Sequence, residues 1–268
     1  MPLTRTRGGT LVSAMTTWVL LRGLMRESRH WGEFPAQFQG EFQGTIEAQD
    51  IVMLDFPGNG SLHADTSLTS VTEMAEHCRA QLRQSGYAPP YHVLSLSLGA
   101  MVAVAWAERH PEELEKLVLI NTSLAPHNPF YQRLRPKNYP ALFRDLIQGS
   151  VAQREALILR ITSNLVEIEN AAKILQKWRR YAAEYPITRT NILRQLLAAI
   201  RYRAPDTAPT VPILLLAGLQ DKLVNPACSL TLAKKWLCVI KTHPAAGHDL
   251  PLDDGVWVAQ AIKAWLCN

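Results

Sequence analysis

The stretch Tyr91-His-Val-Leu-Ser-Leu-Ser-Leu-Gly-Ala100 decides the fold. Val93 and Leu94 form a short apolar run that is typical of a buried strand, and residues 98–109 carry helical periodicity. A strand that turns into a helix within a few residues accepts only small side chains around the junction. Ser97 stands at the tip of this turn, beside the free N–H groups of the helix start. The stretch therefore predicts a nucleophile elbow, and the alternative is an ordinary turn in which Ser97 is only an N-cap.

The composition limits the class of protein. The 268 residues are 47% hydrophobic, which suits one α/β domain with an inserted subdomain. The formal net charge is +5, but lysine and arginine are scattered, so nucleic acid is not indicated as a partner. No run approaches the ~18 apolar residues of a membrane span. Four widely spaced cysteines favour free thiols in a reducing compartment, which predicts a cytoplasmic protein.

Apolar runs alternate with amphipathic segments along most of the chain, after an expected N-terminal extension over residues 1–13. Strands are predicted, besides the elbow strand, at 17–21, 51–54, 117–120, 211–216 and 239–242, and helices at 70–85, 98–109, 229–237 and 256–266. This alternation predicts an α/β fold with a mostly parallel sheet that is covered on both faces.

The alternation stops in the middle of the chain. Four helical segments rich in arginine are predicted there, at 139–148, 152–164, 169–185 and 188–202. An insertion late in such a series is expected to cover the strand ends, where these sheets bind ligands. We therefore expect a core at 1–124 and 206–268, with a helical cap at 125–205.

Two further residues stand where catalysis would need them. Asp221 follows the strand that ends near Leu216, and His248 follows the next strand, so both are expected at the same sheet edge as Ser97. The order Ser, Asp, His is one known order of a catalytic triad. Each residue alone is more often structural, as a turn aspartate or a satisfied histidine. Three suitable residues at three strand ends favour the triad.

At this point the chain resembles the α/β-hydrolase superfamily over nearly its whole length. Leu21-Arg-Gly-Leu24 with Trp31 looks like the family's His-Gly oxyanion loop, and Leu54-Asp-Phe-Pro-Gly-Asn-Gly60 looks like its D-x-P-G-x-G turn. The resemblance implies that Ser97 is the nucleophile, His248 the general base and Asp221 its partner. It also implies an oxyanion hole made by the backbone N–H groups of Leu24 and Leu98.

The chain departs from the family pattern at two positions. Arg22 stands where the family has histidine, and Ser95 replaces the first glycine of the elbow. Either change can tune substrate choice or signal lost activity. A serine at position 97 argues against the dehalogenase and epoxide-hydrolase branches, which use a carboxylate nucleophile.

Some residues near the predicted oxyanion loop are weaker candidates for substrate binding. Arg22, Met25 and Trp31 are the candidates for substrate contact, and Arg22 and Arg26, with the arginine-rich insertion, predict a preference for neutral or anionic substrates. The alternative for the arginines is a solvated or salt-bridged loop. Asp249, Asp253 and Asp254 are expected to cap the last helix.

These patterns predict a serine hydrolase that acts on a small ester or related acyl compound through an acyl-enzyme. One alternative is a non-catalytic protein of the same fold that binds a small ligand. Another is a carbon–carbon bond hydrolase or lyase that uses the same triad. No metal-ligand spacing or P-loop is found, so no cofactor is predicted. The sequence names neither the substrate nor the oligomeric state.

Overall fold

The computed structural model describes residues 17–43 and 50–267, so the predicted N-terminal extension lies outside the described residues. The strands are β1 (Thr17–Leu21), β2 (Asp50–Leu54), β3 (Tyr91–Leu96), β4 (Leu114–Ile120), β5 (Ile213–Gly218) and β6 (Val239–His243). They form one sheet in the order β2-β1-β3-β4-β5-β6, and every neighbouring pair is parallel. The parallel α/β fold is confirmed.

Helices connect the strands. They are α1 (Phe34–Phe42), α2 (Val71–Gln84), α3 (Leu98–Arg109), α4 (Phe130–Arg133), α5 (Tyr139–Gln148), α6 (Val151–Thr162), α7 (Ile168–Glu184), α8 (Arg189–Arg201), α9 (Ala227–Trp236) and α10 (Leu250–Leu266). Within the described residues, no helix is both long and apolar enough to cross a bilayer. Ser70 caps α2 by accepting from the N–H of Glu73 at 3.3 Å, as its sequence position suggests.

The sheet is covered on both faces because its strands alternate between two apolar clusters. In β1, Val19 and Leu21 belong to the cluster packed with α2 and α3, whereas Trp18 and Leu20 pack with α1 and α10. Helix α1 was not predicted. Its signal is the four-residue spacing of Phe34, Phe38 and Phe42, all buried against α10.

Helices α4 to α8 lie between β4 and β5, and we call residues 125–205 the helical insertion. Its two ends meet: Ala125 and Arg203 form a parallel bridge, and the N–H of Ala204 donates to the carbonyl of Ala125 at 2.6 Å. The insertion thus leaves and re-enters the α/β core at adjacent points.

Candidate active site

Ser97 sits in the sharp turn between β3 and α3. Its φ of 57° and ψ of −112° lie outside the regions that non-glycine residues favour, so the backbone is strained there. The first turn of α3 approaches β1 so closely that a Cβ added at Gly99 would lie 2.5 Å from the carbonyl oxygen of Leu21. Glycine at position 99 therefore permits the elbow geometry, and Ser97 remains half-buried.

Ser95 fits the position of the first elbow glycine without strain. Its φ is not positive, and its buried hydroxyl donates to the carbonyl of Val118 on β4 at 3.1 Å. The substitution therefore preserves the elbow, and it satisfies the polar atom that it introduces.

The loop after β1, residues 22–31, lies directly against the elbow. A Cβ on Gly23 would be 3.3 Å from the Cβ of Ser97. In the part of the chain that the structure describes, the N–H groups of Leu24 and Leu98 donate to no other residue. Two backbone donors beside Ser97 are thus available to a ligand oxygen.

Asp221 and His248 are brought together at the end of the sheet. His248 Nδ1 lies 2.7 Å from one carboxylate oxygen of Asp221, and both side chains are buried. The other oxygen of Asp221 accepts from the N–H groups of Leu223 and Val224, at 2.7 and 2.9 Å. These bonds fix the carboxylate, which in turn fixes the imidazole ring.

The loop that carries His248 is tied to the strands on either side of β3. On one side, the Asn121 side chain, directly after β4, donates to the carbonyl of His248 at 2.7 Å. On the other, Arg22, directly after β1, pairs with Asp249 at 2.5 and 3.1 Å. Because β3 lies between β1 and β4, His248 is held above the strand end that presents Ser97.

The Ser97 hydroxyl forms no hydrogen bond with His248 or with any other described residue. Catalytic hydrogen bonds are often long in unliganded enzymes and tighten only when substrate binds. The structure thus contains a bonded Asp221–His248 pair and a Ser97 hydroxyl that has no hydrogen-bond partner among the described residues.

Arg22 and Trp31 make contacts that are structural. Arg22 is 2% exposed, is paired with Asp249 and stacks 4.9 Å from the centre of the Trp31 ring. Trp31 is buried against Phe34. Arg22 is therefore salt-bridged, which is the alternative to substrate contact that the sequence left open. Asp249 was expected to act as a helix cap, but it makes no capping bond and binds Arg22 instead.

Met25 is held by a residue that the sequence did not reveal. Its φ is 64°, and its N–H donates to Oε1 of Gln195 on α8 at 3.0 Å. Gln195 is fully buried, and its amide nitrogen donates to Asn59 Oδ1 at 2.8 Å and to Ser67 Oγ at 3.0 Å. The insertion thus binds the loop after β1 at Met25, the residue that follows Leu24.

Ion pairs also join the insertion to the loop after β1. Arg26 binds Glu155 of α6 at 2.6 Å, and Arg29 binds both Glu27 and Glu184 of α7. Burial together with the nearby guanidinium of Arg26 lowers the pKa of His30 well below its usual value, so its ring is neutral.

Glu27 has a raised pKa. Burial raises the pKa of Glu27 to about 7, against the opposing effect of Arg29, and the neighbouring charge of Asp55 adds to the rise. The Asp55 carboxylate itself accepts from the N–H groups of Ser28 and Ser61, at 2.7 and 3.0 Å. It therefore holds its own turn and also binds the loop after β1, which lies beside Ser97.

Asp253 and Asn121 were also missed as site residues. Asp253 accepts from the N–H of Gly247 at 2.6 Å and from the N–H of Asn164, so it joins the histidine loop to the insertion. Asn121 stands directly after β4, as Ser97 stands after β3. Both are polar residues that directly follow a buried strand, so the pattern that selected Ser97 also selects Asn121.

A possible metal-binding group among the described residues lies far from these side chains. It consists of His110, Glu112 and Glu113, beyond the C-terminal end of α3, whereas Ser97 is at the other end. Glu113 is already bound by Arg79 at 2.6 and 2.7 Å and by the indole of Trp106. These ion pairs explain the group without a metal.

Comparisons with known proteins give consistent results. The chain is 27% identical over 219 residues to a protein of Acinetobacter baylyi named for carbamate hydrolysis, covering 76% of this chain and 79% of that one. It is 28% identical over 202 residues to the pimeloyl-[acyl-carrier protein] methyl ester esterase of Aeromonas hydrophila, covering 74% and 76%.

Among solved structures, the enol-lactonase from Burkholderia xenovorans superposes with a TM-score of 0.77 at 16% identity, covering 97% of this chain and 94% of that one, which shows a shared fold. Residues 18–261 match the model of the alpha/beta hydrolase family. That match spans the elbow, the Asp–His pair and the insertion, and the chain therefore belongs to the alpha/beta hydrolase family.

Proposed function

We propose that the chain is a serine hydrolase that acts on a carboxylic ester or related acyl compound. The observation that carries the proposal is the 2.7 Å contact between His248 and Asp221, in a loop tied to both strands beside the strand of Ser97. A buried Asp–His pair above a strained serine turn is the arrangement that acyl transfer requires.

The reaction begins when Ser97 Oγ attacks the carbonyl carbon and His248 Nε2 takes the hydroxyl proton. Asp221 holds the ring and stabilises the imidazolium. The tetrahedral intermediate then expels the alcohol, which receives the proton from His248, and an acyl-enzyme remains. Water, activated by the same histidine, releases the acid and regenerates Ser97.

The developing oxyanion accepts hydrogen bonds from the N–H groups of Leu24 and Leu98, which have no partner among the described residues. Donors that are already in place cost no reorganisation in the transition state. The close approach of the loop supports this assignment, since a Cβ added at Gly23 would lie only 3.3 Å from the Cβ of Ser97.

The helical insertion over residues 125–205 is assigned as the cap of the site. Its helices contact the loop after β1 through Gln195 and Glu155, and the N–H of Asn164, after α6, donates to Asp253, which also binds the N–H of Gly247 beside His248. An ester is the preferred substrate class because the Aeromonas relative is named for an ester and the Burkholderia structure for an enol-lactone. The free thiols of all four cysteines support a reducing, cytoplasmic location.

Labelling with a fluorophosphonate probe tests the proposal, together with hydrolysis of short p-nitrophenyl esters. Wild type and the control Ser95→Ala should be labelled and active. Ser97→Ala should lose labelling and about 10⁴-fold or more in kcat/KM. Absence of labelling in folded wild type would favour a ligand-binding protein, and labelling of Ser97 without ester turnover would favour carbon–carbon bond cleavage.

A further inference from the structure

Buried arginines in this protein are paired with carboxylates. Each of the four guanidinium groups among the buried described residues lies within 3 Å of an acid: Arg22 with Asp249, Arg26 with Glu155, Arg79 with Glu113 and Arg154 with Asp145. Such pairing is required because an unpaired charge away from water is costly. The positive charges expected to attract an anionic substrate, Arg22 and Arg26, are thus already neutralised.

Arg133, on α4, is different. It is half-buried, and in the part of the chain that the structure describes no carboxylate lies within 4 Å of it. Its Nη2 donates to the carbonyl of Ala199 at 2.7 Å and lies 3.9 Å from Met101 Sδ. Its Nε is buried without an acceptor, and its Nη1 binds no described residue. Burial lowers the pKa of Arg133, as expected for a cation that lacks a counter-ion.

The guanidinium lies beside the candidate active site. Met101 lies in the first turns of α3, four residues after Ser97, which is about 6 Å along the helix axis. On the other side, α4 packs on the loop of Asp221, where the N–H of Asn225 donates to the carbonyl of Gln132 at 2.9 Å. Burial raises the pKa of the Cys228 thiol, in the first turn of α9, to about 12; the nearby charge of Arg133 opposes this rise and that of Asp221 adds to it. Arg133 therefore lies where α4 meets α3, α8 and the loop that carries Asp221.

We propose that Arg133 binds a carboxylate of the substrate, so that the preferred substrate is an ester that also carries a carboxylate a few bonds from the scissile carbonyl. Nη1 and the second N–H of Nη2 form the end of the guanidinium that matches the geometry of a carboxylate, and Nη1 is neither bonded nor fully buried among the described residues. The bound anion would supply the counter-charge that the protein itself does not. This inference rests on the proposed esterase function and names its substrate class.

The test compares esters that differ only in charge. Ethyl hydrogen adipate is the anionic ester, ethyl hexanoate its neutral match, and the hexanoyl ester of glycolic acid carries the carboxylate on the alcohol side. The proteins are wild type, Arg133→Gln, Arg133→Lys and the control Arg144→Gln, which removes an exposed arginine of α5. Release of alcohol gives kcat and KM at low and high salt.

Wild type should prefer one of the two anionic esters, which shows where the carboxylate sits. Arg133→Gln should lower kcat/KM for that ester by roughly 10- to 100-fold, mainly through KM, because a hydrogen bond to a charged group is lost. The neutral ester should change less than about threefold, and Arg133→Lys should recover part of the loss. The control should match wild type. Equal loss for charged and neutral esters, or no loss for either anionic ester, would overturn the proposal.

A binding measurement separates this inference from the proposed function. Calorimetric titration with adipate should show that wild type and Ser97→Ala bind the dianion and that Arg133→Gln binds it at least tenfold more weakly. If no ester is hydrolysed but adipate binding depends on Arg133, the esterase proposal fails and the anion site stands. If esters are hydrolysed but adipate binds wild type and Arg133→Gln equally, the anion-site proposal fails and the esterase proposal stands.

Discussion

The helix that follows Ser97 and the helices of the insertion are held by different forces. In α3, the ten residues from Leu98 to Ala107 are all buried in the core. In α7, which has 17 residues, only Trp178 is buried, and α5 buries none of its residues. Burial of apolar area is the dominant stabilising term in folding, so α3 contributes far more of it than α5 or α7.

Polar contacts join the insertion to the core, beside the apolar packing of Ala198 and Tyr202 in the core cluster. These include Arg26–Glu155, the Met25–Gln195 hydrogen bond and the bonds from Asn164 to Asp253. The contrast teaches that changes in α3 act on global stability. Changes in these polar contacts act on how the insertion is held against the core.

The largest effect is expected in the core. Trp106→Ala should lower the free energy of unfolding by about 3–5 kcal/mol, because it leaves a cavity behind a fully buried ring. Phe143→Ala, which removes a ring of α5 that is 66% exposed, should change it by less than about 0.5 kcal/mol. Urea unfolding followed by circular dichroism measures both. Equal losses would remove the distinction between core and insertion.

The next effect is a pH dependence at the loop that faces the insertion. The pKa of Glu27 is raised from 4.5 to about 7, so the folded state binds its proton more tightly than the unfolded state does. Its contribution to stability is fully present below pH 4.5 and is lost as the pH rises through 7, by about 3 kcal/mol at most. Glu27→Gln should therefore be more stable than wild type at pH 8, and its urea midpoint should lack this decline.

Glu113 is the matched control for Glu27. Bonds from Arg79 lower the pKa of Glu113 to about 2, so its contribution is present above 4.5 and lost only as the pH falls through 2. Glu113→Gln should therefore destabilise the protein at every pH from 5 to 8. A similar response of both variants would mean that the two carboxylates do not differ as described.

A smaller effect is expected for the pair of Arg26 and Glu155. A double-mutant cycle with Arg26→Met and Glu155→Gln should give a coupling of about 1–3 kcal/mol, since both side chains are buried. Hydrogen exchange in α6 should rise in each single variant, while exchange in α3 should not. Additive effects of the two substitutions would show that this pair does not attach the insertion.

The smallest effect concerns the loop after β1. Gln195→Ala removes the acceptor of the Met25 N–H, next to Leu24, and should lower kcat for the best ester about tenfold, or about 1.4 kcal/mol, with KM nearly unchanged. Leu193→Ala, at a largely exposed position of the same helix, is the control. A change in KM alone would place Gln195 in substrate binding rather than in loop positioning.

The strands and many helices could be predicted because their signals are local. The bounds of β1, α3 and α5 match those read from apolar spacing and turn residues. Asp221 and His248 were predicted at one edge of the sheet because each follows a strand. In the structure, His248 Nδ1 lies 2.7 Å from the Asp221 carboxylate. Their catalytic role stays a prediction.

The remaining contacts join residues that are distant in sequence. Gln195 is 170 residues from Met25, and Asp249 is 227 residues from Arg22. Such pairs depend on how the insertion and the last helix fold back over the sheet, and no spacing rule within one segment encodes that. Helix α1 is a different case, because its phenylalanine spacing was present and was overlooked.

The pairing of Arg22 with Asp249 has a consequence for laboratory evolution. Both groups are buried, so replacing either one alone leaves a charge without a partner. Arg22→His, which restores the residue usual in the family, would therefore be epistatic with position 249. A library that varies codon 22 by itself will be dominated by folding defects. One that varies codons 22 and 249 together samples neutral pairs, and with them new shapes of the loop beside the nucleophile.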